Sequence, residues 1–127
     1  MTRLTETGFG TARPVDGYGP GFFRVGGEVL HGPVLVTASG ARPWGGLADL
    51  APLLALEGQV DVLLLGTGAA LAPPPAELRG ALEAAGIGLE PMASPAAART
   101  YNVLLSEGRR VAVALLPVAP GPGAASG

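Results

Sequence analysis

The sequence predicts an α/β domain with a mixed central β-sheet, in which an N-terminal antiparallel hairpin is followed by alternating helices and strands. Three observations carry this expectation. Two apolar runs, Val60 to Leu65 and Val111 to Leu116, are nearly uninterrupted, as in strands buried on both faces. Two stretches between them place Leu78, Ala81, Leu82 and Ala85, then Ala97, Tyr101, Leu104 and Leu105, at helical spacing. Upstream, Gly26-Gly27 separates two apolar segments and permits the positive φ angles of a tight hairpin turn. Strand–helix–strand alternation requires parallel pairs and the hairpin an antiparallel one, so the sheet is mixed.

Taken in order, Met1 to Gly21 is rich in Gly, Thr and Pro without sustained period, and is expected to be a loosely held arm with at most a short strand near Phe9. Phe22 to Val25 and Glu28 to Thr37 form the hairpin. Pro33 cannot donate to a ladder and so marks a strand start, a bulge or an edge, which would split the second strand. Asp49 is placed to cap a short helix whose first turn tolerates Pro52 and which ends before Gly58. The strand from Val60 ends in Gly66-Thr67-Gly68. After Pro73 to Pro75, a second helix runs to Gly86, with Ile87 positioned for a hydrophobic cap contact. Leu89 to Met92 is a brief strand, and Ser94-Pro95 reads as N-cap and first residue of a third helix closed by Gly108. Pro117 ends the last strand. All 127 residues are expected to form one domain, ordered over 9–118, with 119–127 a flexible Pro, Gly, Ala and Ser tail.

Composition narrows the chemistry. Hydrophobic residues make up 48% and charged ones 14% of the chain, with 21 glycines and 13 prolines, too apolar for general disorder and consistent with one core and many turns. A net charge of -2 lacks the basic footprint of a nucleic-acid binder. Lysine is absent and Ala, Gly, Pro and Arg dominate, a skew that GC-rich bacterial codons produce. With no cysteine, disulfides, thiolate nucleophiles and the common zinc sites are excluded. The N-terminus lacks the apolar core of a signal peptide, and prolines and glycines break the long uncharged runs Val62 to Ala76 and Val111 to Gly127. A cytoplasmic bacterial protein without a membrane span is expected.

Among candidate sites, Gly66-Thr67-Gly68 follows a strand, where exposed amides can bind an oxyanion. A dinucleotide fingerprint would need a small residue at Leu71, and the helix is delayed by three prolines, so a turn that lets the chain leave the sheet is the plain reading. His31, the sole histidine, has only Glu28 nearby, which supports neither a triad nor a metal site. Arg99, Asn102 and Ser106 share a face of the third helix, with Thr100 and Glu107 beside them and Arg109 just beyond. This cluster reads either as a solvated face with Glu107 pairing an arginine or as a surface that hydrogen-bonds a partner or ligand. Trp44, the only tryptophan, reads first as core; flanking glycines would otherwise expose it as an anchor. Phe22 and Phe23 are adjacent, so one faces outward.

Val62 to Gly68, Gly86-Ile87, Met92, Ala97 to Leu104 with its Arg-Thr-Tyr-Asn segment, and Glu107-Gly108-Arg109-Arg110-Val111-Ala112, with Trp44 upstream, resemble the domain-of-unknown-function family that contains mitochondrial complex I assembly factor 3. The resemblance covers most of Phe22 to Val118. It implies a compact three-layer α/β fold, no established enzymatic activity and no cofactor. Its eukaryotic members assist assembly of the respiratory NADH:ubiquinone oxidoreductase, while bacterial ones are mostly uncharacterised. Many members carry a cysteine before the arginine, where this chain has Ala98.

Two functional readings follow. The first is a noncatalytic assembly or protein-interaction module, whose partner the resemblance suggests is a respiratory-complex subunit met at the membrane surface, with Trp44, one of Phe22 and Phe23, or the Arg99 face in contact. The second is a small-molecule or anion binder, or weak hydrolase, with a pocket between the Gly66 loop and the Ser94–Glu107 helix using Thr67, Arg99 and Asn102. The sparsity of catalytic groups favours the first.

Overall fold

The computed structural model describes residues 13–119. Its elements are β1 (Val15–Gly19), β2 (Phe22–Val25), β3 (Glu28–His31), β4 (Val34–Thr37), β5 (Gly40–Pro43), α1 (Ala51–Leu54), β6 (Val62–Gly66), α2 (Ala76–Ala84), β7 (Gly88–Met92), α3 (Ser94–Ser106) and β8 (Val111–Leu115). The strands make two sheets: β1-β2-β3, wholly antiparallel, and β5-β4-β8-β6-β7, in which β6 runs parallel to both neighbours while β4 opposes β8 and β5. The larger sheet is mixed, as the sequence predicts.

Alternation along the central strands decides what each face holds. In β8 the whole span Val-Ala-Val-Ala-Leu is buried, yet Val111, Val113 and Leu115 pack with α3 and the small sheet while Ala112 and Ala114 face α1 and α2. β6 follows the same rule, with Leu64 toward Ala97, Ala98, Tyr101 and Leu105 of α3, and Leu63 and Leu65 toward Leu53, Leu78 and Leu82. A second layer on the α3 side comes from Val15, Phe23 and Val25 of the small sheet. Each fully buried leucine here contributes about 2 kcal/mol of transfer free energy, which is why both sheet faces must be covered.

The hairpin forms where expected: Gly26 and Gly27 take φ of 58° and 88°, and Phe22 lies opposite His31. At Gly32-Pro33 the second segment does split, and the chain passes from the small sheet to the large one.

Several expectations are corrected. β1 occupies Val15–Gly19 inside the supposed arm, because its pairing with β2 and a side chain of α3 hold it where Val-Asp-Gly-Tyr-Gly has little intrinsic strand preference. The strand expected near Phe9, and the tail beyond Ala119, lie outside the described residues. β5, whose Gly-Ala-Arg-Pro has almost no apolar content, is an additional strand paired to β4. Leu50, not Asp49, is the N-cap of α1; the Asp49 carboxylate instead accepts from the Gly45 amide at 3.0 Å. Ala93 is the N-cap of α3, and Ser94 is its first residue, with its hydroxyl used elsewhere. Val60 is buried but precedes β6.

Candidate functional site

The carboxyl ends of β6 and β7 are where a doubly wound sheet usually opens a crevice, since α2 leaves on one face and α3 on the other. Here the junction is filled by Ser94, which is fully buried. Its Oγ accepts from the Gly68 amide at 2.9 Å and donates to the Leu116 carbonyl at 2.6 Å, tying three chain segments together. Gly66 is required for the close approach: a Cβ there would lie 2.6 Å from Ser94 Oγ and 2.7 Å from Leu115 Cδ2. The Thr67 amide donates to Met92 O at 2.9 Å, and Thr67 Oγ1 donates to Ala70 O and accepts from the Ala72 amide. The amides of Thr67 and Gly68 that would hold an anion are therefore already used inside the chain.

Asn102 is placed by α3 against β1. Its Oδ1 accepts from the Val15 amide at 2.9 Å and its Nδ2 donates to the Val15 carbonyl at 2.8 Å. The side-chain amide thus completes the exposed edge of β1 as a neighbouring strand would. Arg99, one turn earlier, is exposed and makes no ion pair with another described residue. Thr100 is half-buried, Glu107 is the C-cap of α3, and the expected Glu107–arginine pair does not form among the described residues. Arg109 stands before β8 at the opposite end of α3 from Gly66, about 20 Å away along a helix of 13 residues. Trp44 is 4% exposed, packed with Leu35 and Leu53, and its Nε1 donates to Asp49 O at 3.0 Å. The structure therefore brings Arg99 and Asn102 together and leaves the Gly66 loop, Trp44 and Arg109 in other places.

Between β1 and α3 runs an open groove of about 230 Å³, with Asp16, Gly17 and Tyr18 on one wall and Pro95, Ala98 and Arg99 on the other. Tyr18 is 49% exposed at its rim. Asp16 is occupied by Arg24 at 2.6 Å and by the Gly27 amide at 2.8 Å, so Arg99 supplies the groove's positive charge. Sequence reasoning missed the β1 wall entirely, since nothing near Asp16 or Tyr18 announces that α3 lies opposite.

In the core on the α3 side, the Tyr101 hydroxyl is buried without a hydrogen-bond partner among the described residues, and burial pushes its pKa up to about 12. Among the described residues no group of three or more His, Cys, Asp or Glu is arranged to hold a metal ion, and no helix is long and apolar enough to cross a membrane.

This architecture is an α/β fold of the kind solved for a Bordetella pertussis protein described as a Mth938-like domain, which is 28% identical, superposes with a TM-score of 0.74 and covers 95% of this chain and 94% of its own. The chain belongs to the family described as a protein of unknown function (DUF498/DUF598), which matches residues 15–116. An uncharacterized protein of Rhodobacter capsulatus is 58% identical over 119 residues, 94% of each chain. The zebrafish protein named NADH dehydrogenase [ubiquinone] 1 alpha subcomplex assembly factor 3 is 35% identical over 107 residues, 79% of this chain and 62% of the zebrafish protein.

Proposed function

We propose that the protein is a noncatalytic assembly module that holds a subunit of the respiratory NADH dehydrogenase through the groove between β1 and α3. The observation that carries this reading is the 35% identity to the zebrafish assembly factor across 79% of the chain. The geometry supports it. Small-molecule sites usually enclose roughly 300–1,000 Å³, and an open groove of about 230 Å³ fits one or two side chains of a partner better than a substrate. Arg99 offers a fork of donors to a carboxylate or carbonyl of that partner, and Tyr18 an amphipathic ring beside it. Gene deletion in the native bacterium, followed by native-gel separation of the respiratory complexes, tests the role. Loss of assembled complex, restored by wild type but only partly by Arg99→Ala, is expected; unchanged assembly in the deletion strain refutes the proposal.

A further inference from the structure

Away from that groove, three depressions of about 400, 250 and 270 Å³ meet around the β4–β5 turn, and Ser39 stands in the wall of each. The topology explains the junction. β4 opposes β8 with Val36 beside Val113, so Thr37 and the turn arrive next to Arg109 and Arg110, which line the second depression. Across the hairpin Arg42 is paired with Leu35, whose side chain belongs to the α1 side of the sheet, and Arg42 lines the first depression there with Ala55 and Leu56. Ala41, paired with Val36, faces the small sheet, where Arg13 and Glu28 line the third. The lobes therefore wrap the end of the sheet from one face to the other.

Their charge runs against that of the chain. Arg13, Arg42, Arg109 and Arg110 are four of the seven arginines in residues 13–119, while Glu28 is the one lining residue among nine carboxylates, in a protein of net charge -2. Arg110 meets Asp61 at 3.2 Å, but with 55% and 71% of the two side chains exposed, solvent screens that pair. Arg42 and Arg109 form no ion pair with a described residue. Cations gathered around one turn focus a positive potential on it.

We propose that this cleft binds an acidic polypeptide segment in extended conformation, laid around the β4–β5 turn. A compact oxyanion would meet the cations of one lobe, whereas an extended chain, advancing about 3.3 Å per residue with every second side chain on one face, can run from lobe to lobe and set carboxylates some residues apart against Arg42, Arg109 and Arg13. At the centre the Thr37 and Ser39 hydroxyls hydrogen-bond each other at 2.9 Å, which leaves one of the two protons to donate to a carbonyl of the segment. The proposal rests on this end of the sheet and not on the Arg99 groove or the assembly role.

Fluorescence anisotropy of the full chain with a labelled deca-glutamate peptide tests it, with deca-glutamine and inorganic phosphate as comparisons. The glutamate peptide should bind more weakly as salt rises, Arg42→Gln/Arg109→Gln should weaken it about tenfold, and Arg79→Gln on α2 should change it less than about twofold. Both replaced arginines are exposed, and either single variant should weaken binding about threefold, which keeps the test open should the double variant not fold. Equal binding of deca-glutamine, equal loss in Arg79→Gln, or no loss in the double variant overturns the proposal. Displacement by phosphate at matched charge concentration also overturns it, in favour of a small-anion site.

Discussion

Asn102→Ala tests whether this one side chain holds β1 against α3. Its side chain makes both hydrogen bonds to Val15, at 2.9 and 2.8 Å, across 87 residues of sequence. Each is worth about 1 kcal/mol net, and truncation leaves a strand edge whose amide and carbonyl must find water instead. The loss should be about 2 kcal/mol, which for a domain of this size lowers Tm by roughly 8 °C. Urea unfolding gives the free energy, and amide exchange gives the location, since the Val15 amide should lose protection ahead of β6 and β8. Arg99→Ala, three residues earlier and exposed, should shift stability by less than about 0.5 kcal/mol while removing the groove's charge. An unchanged urea midpoint in Asn102→Ala, with Val15 exchange as in wild type, would show that α3 does not hold β1.

Other substitutions probe the packed junction and the buried phenol. Ser94→Ala should cost about 3 kcal/mol by urea unfolding, because it orphans the Gly68 amide and the Leu116 carbonyl together. Gly66→Ala should cost about 2 kcal/mol or more even in the Ser94→Ala background, since Leu115 Cδ2 at 2.7 Å and Ser94 Cα at 2.8 Å still block the new methyl group; disappearance of that cost in the Ser94→Ala background would contradict the geometry. Tyr101→Phe should stabilise by about 1 kcal/mol, as it removes a buried hydroxyl without a described partner. The same residue sets an alkaline limit. Burial raises its pKa from 10.0 to about 12, so the unfolded chain ionises first and stability falls as pH climbs between those values. The slope is about 1.4 kcal/mol per pH unit, and the gap between wild type and Tyr101→Phe should widen by that amount per unit above pH 10.

The elements that could be read from the sequence are those whose partners are local or whose pattern survives alone. The runs at β6 and β8, the periodic residues of α2 and α3, and the Gly26-Gly27 turn all carry their own signal. β1 and β5 do not, because their pairing with β2 and β4 decides their conformation, and Gly17, Gly19 and Gly40 supply no side chain to betray a face. The caps at Asp49 and Ser94 differ from expectation because each side chain bonds a group outside its helix, the nearby Gly45 amide for Asp49 and the distant Gly68 amide and Leu116 carbonyl for Ser94, in place of the helix amides. At the site, the density of polar residues on α3 was visible, but the role of Asn102 depends on a strand 87 residues away. The alternation of valine and alanine in β8 is a further signal in the sequence, since it assigns the strand's bulk to the α3 side.

The outermost strands of the larger sheet each include a proline, Pro43 in β5 and Pro91 in β7. A chain approaching either border therefore meets a ladder with a missing donor, and the sheet resists being lengthened by a stray strand at high concentration or during synthesis. Recognition is thereby steered away from backbone pairing at those borders and onto side chains, where a partner can be told from an aggregate by charge and shape.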